Sequence, residues 1–191
     1  MEKIKLKKVI SYSTKRGGSK ELDIDTYVTT DNLLQNKKGI TIANSLPPNG
    51  ESFPKYKVDD ILISNIRPYL QKIWFADREG TCSSDVLVIS VQKDFASKFV
   101  YYTLFKDDFF KHMMKGVKGT KMPRGDKNQI LEFEIPDFTF PTQTKIANIL
   151  SCIDNKIKLN EKINDNLPNN YFTFTCPFIN IGNNQSRSSA N

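Results

Sequence analysis

From Thr142 to Asn166 the chain runs without a glycine or a proline, and no other stretch restricts the possible folds as much. Thr142 can cap a helix at its start, and Pro168 stops one just past its end, so residues 142–167 are predicted to form a single helix. At 1.5 Å per residue it measures about 37 Å. Leu150, Ile153, Ile157, Asn160, Asn164 and Leu167 alternate by three and four, which is the spacing of a coiled-coil seam. Ile146, Ile149 and Ile163 widen the stripe. Asn160 and Asn164 at seam positions lower stability but select the register and orientation of a partner helix. An amphipathic helix either packs on its own domain or seats a second helix. Length, and a position behind a proline-bounded segment, favour the second. The expected partner-helix interface is Ile146, Leu150, Ile153, Ile157, Asn160, Asn164 and Leu167.

The helix divides the chain into three parts: a domain over residues 1–141, the helix over 142–167, and an irregular tail over 168–191. Within the domain, residues 4–13 suit a short strand or an opening helical turn, and 27–30 are predicted to form a strand. Pro47-Pro48-Asn49-Gly50 is a turn signal. Residues 56–64 enter a buried strand through Asp59-Asp60, and 72–76 and 85–91 form two more, with Glu79-Gly80 turning between them. Phe99, Tyr102, Phe105, Phe109 and Met113 recur at helical spacing, so one helix is predicted over 97–114. A last strand is predicted over 130–135, closed by Pro136 and Pro141. The fold class expected is α/β (α+β), a mixed or antiparallel sheet with helices, followed by one long coiled-coil-forming helix.

Chemistry that is missing narrows the function. His112 is the only histidine, and its place near a helix end suits a solvated or core-edge ring better than a catalytic one. No GxxxxGK[ST] loop or GxGxxG fingerprint is present. The carboxylate pairs Asp59-Asp60 and Asp107-Asp108 are adjacent in sequence, so on a strand or a helix they diverge and make no metal site. Cys82, Cys152 and Cys176 are scattered without a CxxC pair, which fits a reducing cytoplasm. The N-terminus lacks the apolar run of a signal peptide, and no stretch is apolar enough to span a membrane. The expectation is a cytoplasmic chain with no catalytic residue, metal or cofactor of its own.

Chemistry that is present points to a polyanion. Lysine and arginine number 28 against 21 acids, for a net charge of +7, a field that attracts nucleic acid without dictating fold. Lys111, Lys115, Lys118, Lys121, Arg124 and Lys127 recur every three or four residues, while Gly116, Gly119 and Pro123 break the helix among them. A solvated helix face accounts for Lys111 and Lys115, but less well for the loop that follows. Glycine amides and mobile lysines in such a loop suit phosphates. A second loop, 64–72, carries Asn65, Arg67 and Gln71, which can pair bidentately with base edges, beside Tyr69 and Lys72. Arg67 equally suits a clamp on a loop carbonyl or on Asp85. Lys15 and Arg16 open a third basic stretch. The candidate DNA-binding residues are therefore Lys15, Arg16, Asn65, Arg67, Tyr69, Gln71, Lys72, Lys115, Lys118, Lys121 and Arg124.

These stretches resemble the specificity subunit of type I restriction–modification systems. The resemblance is carried by Lys5-Leu6-Lys7-Lys8-Val9-Ile10, by Val58-Asp59-Asp60-Ile61-Leu62-Ile63-Ser64-Asn65-Ile66-Arg67-Pro68, by Ser83-Ser84-Asp85-Val86-Leu87-Val88-Ile89 and by Ile135-Pro136. The most specific piece is Pro141-Thr142-Gln143-Thr144-Lys145-Ile146-Ala147-Asn148-Ile149-Leu150-Ser151-Cys152-Ile153-Asp154-Asn155-Lys156-Ile157, with Thr142 where the family usually has an acid. The resemblance implies a target recognition domain reading one half of a split DNA site, with adenine methyltransferase subunits as partners and, through them, a restriction subunit. Family members usually carry two such domains, each followed by a long helix, the helices paired antiparallel. This chain holds one of each, so it resembles a half-length or truncated form. Two copies paired through Ile153, Ile157 and Leu167 would form a two-fold dimer suited to an inverted repeat. The alternatives are a protein-interaction module without DNA affinity, an inactive remnant, or a small nuclease with an unrecognised carboxylate site.

Overall fold

The computed structural model describes residues 2–48, 52–119 and 121–166. The predicted seam residue Leu167, the tail over 168–191 and part of the 47–50 turn lie outside these. The chain divides into two units, Met1–Cys152 and Ile153–Asn191.

In the first unit, buried β-branched runs make the centre of a sheet. β1 (Lys3–Lys5) and β2 (Ile10–Tyr12) flank a 3-10 turn over Leu6–Lys8, so the opening segment is strand, turn and strand in succession. β3 (Arg16–Gly17), β4 (Phe53–Tyr56), β5 (Ile61–Ser64), β6 (Ile73–Phe75), β7 (Gly80–Thr81) and β8 (Val86–Val91) follow. The main sheet has the order β2-β8-β5-β6, antiparallel throughout. Ile61 faces Ile89, Leu62 faces Val88 and Ile63 faces Leu87 across its middle. Because side chains alternate along a strand, this register sorts them into two cores. Ile61, Ile63, Leu87 and Ile89 pack with the helical residues Phe99, Leu104, Phe109 and Met113. Leu62, Val86 and Val88 pack with Val28, Leu33, Tyr56 and Cys82. Asp59 takes a left-handed φ of 70°, and buried Asp60 accepts from the Lys57 amide at 3.0 Å and the Ser90 hydroxyl at 2.7 Å. That pair is the turn into β5, as expected.

Three predicted elements differ from those observed. Residues 27–30 form no strand; Val28 makes one isolated parallel bridge to Cys82. The buried Asn32 amide instead donates to the Tyr27 and Thr41 carbonyls at 2.9 and 3.1 Å, while its oxygen accepts from the Thr29 amide at 2.7 Å. A side chain that satisfies backbone groups in this way competes with a ladder. The single helix over 97–114 is two, α1 (Ser97–Leu104) and α2 (Asp107–Lys115), separated where Lys106 is extended. Asp107 and Asp108 in the first turn favour a fresh helix start. The strand predicted over 130–135 starts inside a helix, α3 (Lys127–Leu131), because the Asp126 carboxylate caps the Asn128 and Gln129 amides at 2.8 and 3.3 Å. Only β9 (Glu134–Pro136) remains extended, paired with β1.

The long helix, α4, is Phe140–Asn166. It starts before Thr142 because proline is tolerated in a first turn, where its missing N–H would be unpaired anyway. Within the first unit, buried Gln143 donates to the Phe138 carbonyl at 2.8 Å and accepts from the Ala96 amide at 2.9 Å. Ala147 is buried and Ile146 packs against the helix-side core. In the second unit Ile153, Ile157, Leu159 and Ile163 are each about half exposed, and their polar neighbours Asn160 and Asn164 are exposed. Among the described residues no helix is long and apolar enough to cross a membrane.

Candidate nucleic-acid interface

The loop from β5 to β6 is shaped by two residues in an uncommon conformation. Arg67 (φ 50°) and Gln71 (φ 51°) are left-handed and bracket a 3-10 turn over Pro68–Leu70. Each such residue costs about 1–2 kcal/mol, so neighbours must hold the loop in place. The Arg67 amide donates to the Pro123 carbonyl at 2.8 Å, and the Leu70 and Gln71 carbonyls accept from the Asn36 and Lys37 amides at 3.0 and 2.9 Å. Ser64 closes the inner side by donating to the Ile66 carbonyl at 2.9 Å.

The second loop leaves α2 at Gly116. Lys118 and Arg124 exchange both backbone hydrogen bonds, each 3.0 Å long, and Gly119 takes a φ of 89° that an L side chain would strain. Lys121 and Met122 are exposed near its tip, while Thr120 lies outside the described residues.

These two loops, far apart in sequence, are joined. Ile66 and Arg124 form an antiparallel bridge. The Gly125 amide donates to the Asn65 carbonyl at 3.0 Å, and the Asn65 amide to the Asp85 carbonyl at 2.8 Å. Arg124 Nη2 then reaches Asp85 Oδ1 at 3.0 Å, so the clamp on Asp85 considered for Arg67 is made by Arg124. The result is two basic and polar loops held to each other by backbone hydrogen bonds and to Asp85 by one ion pair.

The individual candidates differ in what they offer. Arg67, Tyr69, Lys115, Lys118, Lys121 and Arg124 are exposed. Lys118 pairs with Asp126 at 2.8 Å and is raised above the usual lysine range by that bond. Lys72 is partly buried and donates to the Thr30 carbonyl. Burial holds its ammonium below the usual range, Asp31 opposing and Arg67 reinforcing the shift. Gln71 bonds Asp107. Asn65 is half-buried, and among the described residues its enclosed Oδ1 has no hydrogen-bond partner; a Cβ on Gly125 would sit 3.1 Å from it. Asn65 therefore sits in the seam between the loops rather than on their outer face. Lys15 and Arg16 belong elsewhere: Arg16 lies on the three-stranded sheet β3-β4-β7 and bonds Ser52.

A third segment, 34–40, is docked on the same surface by the Asn36 and Lys37 amides. Nothing in the sequence reading singled it out. Its signal was Asn36-Lys37-Lys38-Gly39, an asparagine and a glycine tolerant of left-handed backbone. The groups with reactive potential have structural settings. His112 Nε2 lies 2.7 Å from the Gln129 carbonyl, and burial pushes the Cys82 thiol up to about 12. Among the described residues no group of histidine, cysteine and carboxylate side chains is placed to hold a metal.

Residues 2–169 match the family described as type I restriction modification DNA specificity domain. Over 167 residues the chain is 29% identical to the HindI specificity subunit, a type I restriction enzyme component of Haemophilus influenzae, covering 80% of this chain and 36% of that protein. It is similar in fold to the HsdS subunit from Thermoanaerobacter tengcongensis, with a TM-score of 0.61, 19% identity, and coverage of 85% of this chain and 44% of that one. The S subunit of a type I restriction-modification system from M. genitalium is similar with a TM-score of 0.56 and 18% identity, covering 86% of this chain and 43% of that one. The chain thus spans less than half the length of each of these relatives.

Proposed function

The chain belongs to the type I restriction modification DNA specificity family, and from that membership we propose that it is a DNA-reading subunit that recognises one half of a bipartite site without chemistry of its own. The observation that carries this reading is the junction of the 64–72 and 116–126 loops through the Ile66–Arg124 bridge. It supports reading the loop that carries Lys118, Lys121 and Arg124, with Lys115 just before it, together with the loop that carries Arg67, Tyr69 and Gln71. Lysines and arginines there hold phosphates, which fixes register, while Arg67, Tyr69 and Gln71 meet base edges. Lys72 contributes charge from beneath, and Asn65 keeps the two loops aligned. Lys15 and Arg16 would meet DNA only beyond this surface.

In this reading residues 1–141 are the recognition domain and 142–167 the spacer helix, with the tail over 168–191 outside both. Adenine methyltransferase subunits, and through them a restriction subunit, act on the DNA that the chain selects. The exposed isoleucines of α4 favour a helix partner, either a second copy or the helix of a second recognition domain.

Duplex binding titrated against salt tests the proposal. Neutralising about five phosphates gives a slope of log K against log salt near −4 to −5. A flat titration removes the phosphate assignment, and an unaltered site preference in Arg67→Ala removes that residue from base reading.

A further inference from the structure

The segment docked between Leu33 and Ile40 has a construction that bracing alone does not require. Leu33 and Ile40 form an antiparallel bridge, and the Leu34 amide donates to the Gly39 carbonyl at 2.9 Å. Between them Asn36 and Lys37 are both left-handed, at φ 54° and 62°. Their amides are spent on the Leu70 and Gln71 carbonyls, which ties the turn to the Arg67 loop. Lys37 is anchored from below: it pairs with Asp107, and its ammonium lies 5.3 Å from the Phe105 ring centre and 5.9 Å from that of Phe110. Its side chain is only 15% exposed. The backbone and Lys37 are thus fully committed to holding the turn still.

What the turn leaves free is different in kind. Gln35, Asn36 and Lys38 are exposed, and among the described residues neither amide nor the Lys38 ammonium is engaged by another group. A rigid turn holding two unengaged amides beside a free ammonium, joined to a surface of exposed arginine and lysine, has the chemistry of base-edge contact flanked by phosphate contact. Asparagine and glutamine amides each carry a donor and an acceptor that match N6 and N7 of adenine in the major groove.

We propose that the 35–38 turn is a third DNA-contacting element, in which Gln35 and Asn36 read base edges with a preference for adenine and Lys38 holds an adjacent phosphate. This rests on the reading of the neighbouring loops as a DNA-facing surface. It adds determinants that neither loop supplies, and it accounts for a turn braced from two sides around side chains that, among the described residues, make no hydrogen bond or ion pair.

Selection of a random duplex library on the full chain tests it. The Gln35→Ala, Asn36→Gly double variant keeps a residue tolerant of left-handed backbone at 36. It should melt with the parent and keep the parent's salt slope. It should also lose preference at one or two positions of the selected site, with affinity for that site reduced about tenfold. Asn36→Asp, whose carboxylate only accepts, should exchange adenine for cytosine at its position. Lys38→Ala should weaken binding to all sequences alike and reduce the slope by about 1. An unchanged preference in both the double variant and Asn36→Asp, while Arg67→Ala alters it, overturns this proposal and leaves the parent reading intact. Should the double variant fail to fold, Asn36→Asp decides alone. If the parent chain retains no duplex even at low salt, the parent reading falls, and this one with it.

Discussion

Arg124 and Asp85 are paired at 3.0 Å with side chains 56% and 33% exposed. Ion pairs open to water to that degree contribute about 0–1 kcal/mol, so the pair orients the loop more than it stabilises the protein. Arg124→Ala should leave the urea midpoint nearly unchanged, lower duplex affinity, and reduce the salt slope by about 1; a large loss of stability would instead make Arg124 a structural residue. Asp126 has the opposite character. Lys118 holds its carboxyl below the usual range, helped by the Asn128 and Gln129 amides that it caps. A carboxylate depressed in the folded state stabilises above its unfolded pKa and loses that contribution as pH falls through the folded value. Asp126→Ala should therefore melt below the parent at neutral pH, and the gap should close as pH drops below about 4. A gap independent of pH would rule this account out.

α2 supports more of the surface than its length suggests. Phe109 and Phe110 are buried, Phe109 meets Phe110 and Phe133 with ring centres 5.3 Å apart, and the helix leads directly into the 116–126 loop. Phe109→Ala should cost about 3–5 kcal/mol in chemical denaturation, with DNA affinity falling in parallel because both the loop and the Lys37 anchor rest on this helix. Elements were legible in sequence where a contiguous run carries them. The buried strands β5, β6 and β8 were anticipated because apolar and β-branched residues fill them apart from Ser64 and Ser90. The break at Lys106 was not, since Phe105 and Phe109 keep a helical spacing straight across it. Nor was the start of β9, because the helix capped by Asp126 takes the first residues of the strand predicted over 130–135.

At the scale of the molecule the distinctive feature is a helix whose second half buries little. Ile153, Ile157 and Ile163 repeat on α4 and stay about half exposed, a pattern that costs solubility unless a partner covers it. Sedimentation equilibrium of the full chain should show a concentration-dependent dimer, and Ile153→Asp with Ile157→Asp should give a monomer whose melting is otherwise unchanged. A parent chain that remains monomeric at high concentration would leave the second domain of a longer subunit as the partner. Ile146, placed in the same interface by its spacing, packs against the helix-side core instead. The seam available to a partner therefore begins later on the helix than the repeat alone suggests.

Local order along the chain was sufficient for the α+β class, the long helix and the basic, polar character of the 64–72 and 116–126 segments. Each of these is encoded by residues within a turn or two of one another, where spacing translates directly into a face. The surface itself was decided by tertiary structure. Ile66 meets Arg124 only after β6, β8, α1 and α2 have been packed between them, and Asn36 reaches Leu70 only because left-handed backbone at both ends is held by that packing. Which basic residues act together, which one clamps Asp85 and which asparagine is enclosed rather than presented depend on contacts between distant segments. No spacing in the sequence records these contacts, because their partners lie tens of residues apart and are brought together only by the packed elements between them.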